Sequence, residues 1–185
     1  MRRVVLGTAA LLLCAGLLGL LPKSREPEEL TLLTQVAVDR VGDRVMVTAL
    51  AGARVTEDEE PEIMEGEGST LEEAFASLED SPLHRPYLGQ VETLLAGPGE
   101  ELGELLPFVL NHRALKTDIT LYIIVGGSAG DALEIWAEET KGASPPQDPH
   151  AVTVGEALAA LTQGRPMEVP ALTLDEDRLV WEGST

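Results

Sequence analysis

Apolar positions along the chain recur with two different spacings, and the alternation between them marks out the elements. Leu32, Val36 and Val38 fit a strand, Asp39 to Arg44 supplies a turn around Gly42-Asp43, and Val45, Val47 and Leu50 return as a second strand, predicting a hairpin. Seven acids then fall among the eleven residues from Glu57 to Glu67, together with Pro61 and Gly66, which predicts a solvated loop. Ser69-Thr70-Leu71-Glu72 has the form of a capping box, and Leu71, Ala74, Phe75 and Leu78 follow as a helical stripe that Asp80-Ser81-Pro82 stops. Tyr87 to Ala96 reads as one strand, closed by Gly97-Pro98-Gly99.

A second helix is predicted from Glu100 to Asn111. Glu100, Glu101 and Glu104 sit in its first turns at the positive end of the dipole, Leu102, Leu105, Leu106, Val109 and Leu110 on its buried face, and Pro107 is placed to kink it. Asp118 to Val125 is the most β-prone stretch, and its nearly continuous apolar end predicts a central strand covered on both faces. Gly126-Gly127-Ser128 turns into a helix at Ala129 to Trp136, and three prolines make Lys141 to His150 irregular. Thr153-Val154-Gly155-Glu156 is a second capping box leading into Ala157 to Leu161, and Ala171 to Leu174 and Arg178 to Trp181 read as two short strands. The order β-β-α-β-α-β-α-α-β-β predicts the α/β (α+β) class: a single domain with a mixed β-sheet and flanking helices.

Before this domain lies a different pattern. Val4 to Leu21 carries no charge, follows Arg2-Arg3 and ends at Pro22. As a helix its length is ~27 Å, close to the hydrocarbon thickness of a bilayer. The arginines favour the cytoplasmic side, which places the remainder outside. The expected organisation is a signal-anchor segment at 1–22, a linker at 23–29 and the α/β domain at 30–185. Two alternatives remain. A cleaved signal peptide would want a small-x-small site, which is not evident, and a lipoprotein signal at Cys14 would want a small residue where Leu13 stands. All three readings send the chain to or across the membrane.

Charge narrows the partners. Of 13 basic and 32 acidic residues, all but Arg2 and Arg3 lie beyond the apolar block, giving −21 there. Such a surface repels phosphate backbones, so nucleic-acid binding is excluded first. The single cysteine, Cys14, permits no disulfide within the chain and no thiolate metal site. The acidic run lacks the ligand spacing of a calcium loop. Gly126-Gly127-Ser128-Ala129-Gly130 sits where phosphate-cradling loops sit, but is neither G-x-G-x-x-G nor followed by Lys-Ser/Thr, and a tight strand-to-helix turn needs small residues anyway. His84, His112 and His150 form no i, i+4 pair and are expected to be exposed; Trp136 and Trp181 are expected in packing roles. No catalytic, cofactor-binding or metal-binding residue is assigned, and no cofactor is expected.

Three segments, in order, resemble the N-terminal domain of the Ger(x)C family, the C subunits of nutrient germinant receptors in endospore-forming bacteria. The first runs from Glu28-Glu29-Leu30-Thr31-Leu32-Leu33 through Val36-Ala37-Val38-Asp39 and Gly42-Asp43-Arg44-Val45-Met46-Val47-Thr48. It is similar to the family's opening strand, ending in aspartate, and the hairpin into a strand ending in threonine. The second comprises Gly66 to Ala74, Ser81-Pro82 and Pro86-Tyr87-Leu88-Gly89-Gln90-Val91; the third comprises Leu106-Pro107-Phe108-Val109-Leu110-Asn111-His112-Arg113 and Lys116 to Val125, with Ala129 and Leu133 matching the next helix. Together they cover most of residues 28–135. The chain departs from the family in lacking a lipobox cysteine before the opening segment, in carrying Gln90 where histidine is frequent, and in stopping at Thr185 where the family has two further domains. The resemblance implies a non-catalytic receptor component working beside integral-membrane A and B subunits, and the apolar pattern adds attachment to the membrane through residues 4–21. The alternative is an anchored interaction module of another envelope complex, and a third class, an anchored hydrolase, would need carboxylates converging in a pocket.

Overall fold

The structure, a computed structural model, describes residues 30–52, 62–81, 85–140, 151–175 and 178–184. The apolar segment at 4–21, the linker, residues 57–61 of the acidic run, His84 and the proline-rich stretch 141–150 lie outside these residues.

A mixed sheet forms the middle layer. Strands β1 (Leu30–Val41) and β2 (Arg44–Ala51) make the predicted antiparallel hairpin. Val41 opposes Arg44, leaving Gly42-Asp43 as a two-residue turn in which Gly42 takes φ 62, a value glycine adopts without steric cost. Next come β3 (Ile63–Gly68), helix α1 (Leu71–Glu79), the short β4 (Arg85–Tyr87), a 3-10 turn at Leu88–Gln90, and β5 (Thr93–Ala96). Helix α2 (Leu102–Asn111), β6 (Thr120–Gly126), α3 (Ala129–Thr140), β7 (Val152–Thr153), α4 (Val154–Thr162), β8 (Pro170–Asp175) and β9 (Arg178–Ser184) complete the chain. The sheet order is β3-β2-β1-β5-β6-β8-β9, with β4 beside the start of β1 and β7 beside β6. Strands β1, β5, β6 and β8 run parallel; β2 pairs antiparallel with both β1 and β3, and β9 pairs antiparallel with β8. The mixed α+β single domain is as expected.

Both faces of the sheet are covered. On one face, Val36, Val38, Val47, Leu94 and Leu121 meet Phe75 and Leu78 of α1, Leu105, Leu106 and Val109 of α2, and Ala157 of α4. On the other, Ala37, Leu95, Tyr122, Ile124 and Leu172 meet Ala129, Ala132, Leu133 and Trp136 of α3, with Tyr122 and Trp136 5.4 Å apart edge to face. Alternate residues of β6 serve the two cores, which explains why that strand reads as a continuous apolar run.

Four expectations are corrected. The C-terminal part of the acidic run is strand β3, not loop: Glu65 and Glu67 face solvent while Met64 and Gly66 are buried. The first cap lies one residue later than the Ser69 pattern suggests. Thr70 accepts from the Glu73 amide, and the Glu73 carboxylate accepts from the Ser69 amide and hydroxyl. Tyr87 to Ala96 is not continuous, because the 3-10 turn separates β4 from β5 and shifts the chain from the start of β1 to its middle. Finally, Glu100 precedes α2 and turns inward. The second capping box, Thr153 with Glu156, forms as read.

Candidate functional site

Two neighbouring places concentrate polar chemistry, and both grow from the end of β1. At the first, Asp39 is 7% exposed, and its carboxylate accepts from the Ala129 amide at 2.7 Å and the Gly130 amide at 2.8 Å. Ser128 serves the next two: its hydroxyl accepts from the Asp131 amide and its carbonyl from the Ala132 amide. All four N-terminal amides of α3 therefore have protein partners, and the negative charge sits at the positive end of the helix. This accounts for the glycine-rich turn. The donors that a phosphate would need are held by Asp39 and Ser128, so the turn joins a strand to a helix across the sheet. Gly97 completes the junction, since a Cβ there would lie 1.9 Å from Asp39 Oδ1, and the Gly97 amide donates to the Val38 carbonyl at 2.8 Å.

At the second place, the next residue, Arg40, leads into a groove of about 860 Å³ between the start of α1 and the length of α2. Ser69, Thr70, Leu71 and Glu72 line one side, Glu104, Pro107, Phe108 and Asn111 the other, and His112 and Arg113 close the far end. Arg40 donates to Glu104 at 3.0 Å, and its Nε lies 3.4 Å from Glu100. The Glu100 side chain is shielded from solvent, and neither of its oxygens has a hydrogen-bond partner. Burial pushes the Glu100 carboxyl above its usual range against the opposing pull of Arg40, with Glu104, Asp39 and Glu101 adding to the rise. A raised folded-state value means that its contribution to stability is present below the unfolded value of 4.5 and is lost as pH rises through the folded one. Glu100→Gln is therefore expected to raise stability at neutral pH by about 1 kcal/mol, since Arg40 keeps Glu104 as a partner. The gain should disappear in acid, which denaturation at pH 7 and pH 4 checks.

His112 differs from the exposed histidine expected. Its ring packs 5.5 Å from Phe75 and 5.4 Å from Phe108, themselves 4.9 Å apart, and its Nδ1 accepts from the Ala114 amide at 3.4 Å. An accepting Nδ1 puts the proton of the neutral ring on Nε2. Burial lowers the His112 pKa, outweighing Glu79, which raises it; Arg113 lowers it further. Its stabilising contribution is complete above the unfolded value of 6.5 and is lost as pH falls through the folded one. Melting temperatures of wild type and His112→Phe, compared from pH 7.5 to 5, should converge or cross as the wild type alone loses this contribution.

The groove sets the Phe108 and His112 rings beside the Arg113 guanidinium, while the Asn111 amide is engaged by the Pro107 carbonyl and Arg40 by Glu104. Among the described residues no cluster of three or more His, Cys, Asp or Glu is placed to hold a metal ion, and no helix is long and apolar enough to cross a membrane. Sequence reading assigned no site residue. It missed Asp39 and Glu100 as buried acids, and the available signal was an aspartate directly following the apolar run Val36-Ala37-Val38.

The fold and its junctions thus define a mixed-sheet α+β domain carrying three helices on one face and one on the other. No protein-family model matches the chain, and no curated protein sequence does. Among solved structures it is similar to one described as the crystal structure of the GerBC protein, at 14% identity and a TM-score of 0.37. That alignment covers 80% of this chain and 46% of the other, so the chain spans about half the length of that structure.

Proposed function

We propose that this protein is a non-catalytic, membrane-anchored component of a spore germinant receptor, acting in nutrient-triggered germination through contacts with integral-membrane A and B subunits. The observation that carries the reading is the ordered resemblance of three segments to the Ger(x)C N-terminal domain across residues 28–135. Those segments supply β1 and β2, the end of β3 with the start of α1, and the second half of α2 with β6, so the resemblance reaches both the hairpin and the central strand of the sheet. The aspartate of the opening strand has a physical role that suits such a motif, since Asp39 joins that strand to α3.

The apolar segment 4–21 supplies membrane attachment, and the balance of −21 beyond it favours a partner with a basic surface and speeds their encounter. Affinity purification from spore inner membranes after brief crosslinking tests the reading. The tagged chain should bring down receptor A and B subunits, with recovery falling as salt is raised before crosslinking. Recovery of the chain alone, or with an envelope complex present in growing cells, would refute it.

A further inference from the structure

The start of β1 carries an apolar strip that, among the described residues, is left more than a third exposed. Leu33 is fully buried against the three-helix face, so its neighbour Leu32, and Leu30 two residues earlier, point to the opposite side, where they are 44% and 36% exposed. Strand β4 runs parallel beside them in a register that pairs Leu32 with Tyr87, which is 43% exposed, and Leu30 with the exposed Arg85, whose long apolar stem can lie along such a surface while its charge stays in water. Partners in register share a face, so Tyr87 extends the strip. A bulge between Leu33 and Gln35 shifts the alternation by one, so farther along the same strand this side is continued by Ala37, fully buried under α3.

Two contacts position the strip. The Gly52 amide donates to the Leu32 carbonyl at 2.6 Å, and the Tyr87 ring lies so close over Gly89 that a Cβ there would come within 2.5 Å of the ring and its hydroxyl.

We propose that Leu30, Leu32 and Tyr87 form the face on which the domain rests against a zwitterionic lipid surface. This rests on the membrane attachment proposed above. Leu30 follows the apolar segment after only eight residues, 22–29, which can reach at most about 29 Å when fully extended. A domain of this size is roughly 40 Å across, so the tether keeps the Leu30 end of β1 within reach of the membrane while the far side of the domain need not be. Two leucines beside a tyrosine, with its apolar ring and polar tip, match the boundary between headgroups and acyl chains. The −21 balance disfavours an anionic surface, which selects the zwitterionic one.

Strand β1 also provides its own control, because Val41, 62% exposed, ends the strand about 30 Å from Leu32. An environment-sensitive fluorescent amino acid replaces Leu32 in one full-length variant and Val41 in another, leaving Cys14 untouched. Each chain is reconstituted into phosphatidylcholine vesicles containing nitroxide-labelled lipid, and flotation measures attachment independently. The expected result is attachment of both variants, with several-fold stronger quenching and a blue-shifted emission at position 32 alone. Attached protein with equal quenching at 32 and 41 would overturn the proposal while leaving attachment intact. Failure to float would overturn attachment and this inference together.

Discussion

Asp39→Ala is expected to destabilise the protein by about 3 kcal/mol, because two charge-assisted hydrogen bonds to helix amides are lost in a buried setting. The Ala129 and Gly130 amides would be left without partners at a place 90 residues away in sequence, so the damage should appear first in α3. For a chain of this length the loss corresponds to a melting temperature lower by about 10 °C. Trp136 in α3, packed on Tyr122 of β6, supplies a local reading in a Trp181→Phe background: its fluorescence should shift to the red before the sheet melts. Asp39→Asn should fall between, since one oxygen still serves one amide while the new NH2 faces the other. Gly97→Ala should be nearly as damaging, and much less so in the Asp39→Ala background, because the clash is with the Asp39 carboxylate. Additive losses in that double variant would contradict this picture of the junction.

The second large effect belongs to Gly66. A Cβ there would lie 2.3 Å from the Ala74 carbonyl oxygen and 2.6 Å from the Leu78 nitrogen, so helix α1 crosses β3 with its backbone almost touching the strand. Neither atom can move without displacing the helix, and Gly66→Ala is expected to cost about 3 kcal/mol or more. Gly103→Ala is the matched contrast. Nothing lies within 4 Å of a Cβ at that exposed helical position, and the substitution should stabilise by about 1 kcal/mol. Thermal melts of the two variants should move in opposite directions, and a Gly66→Ala protein as stable as the wild type would show that β3 and α1 do not pack this closely.

Gly66 also explains what the sequence concealed. Strand β3 has a two-residue alternation, with Glu65 and Glu67 outside, but its inward positions after Met64 are Gly66 and Gly68, small because α1 lies directly on them. Alternation between acid and glycine carries no hydrophobic period, and the segment therefore reads as loop. Tyr87 to Ala96 misled for a different reason. Its apolar residues serve β4, a 3-10 turn and β5 in succession, and periodicity does not register a change of strand partner.

By contrast, the hairpin, the stripes of α1 and α2, the two-faced strand β6 and the Thr153 cap were legible, because each is dictated by neighbours within a few residues. The polar junctions were not. Asp39 meets α3 across the sheet, Glu100 turns back under Arg40, and His112 joins Phe75 from another helix, all through contacts that local spacing does not encode.

The same division applies to function, which rests on a resemblance carried by the order of three segments. Its most direct test is nutrient-triggered release of dipicolinic acid from spores of the source organism, with and without this gene, across a panel of nutrients. Release that is slowed or abolished in the deletion and restored by the complementing gene is the predicted result. Unchanged release across the panel would contradict a role in the germinant receptor.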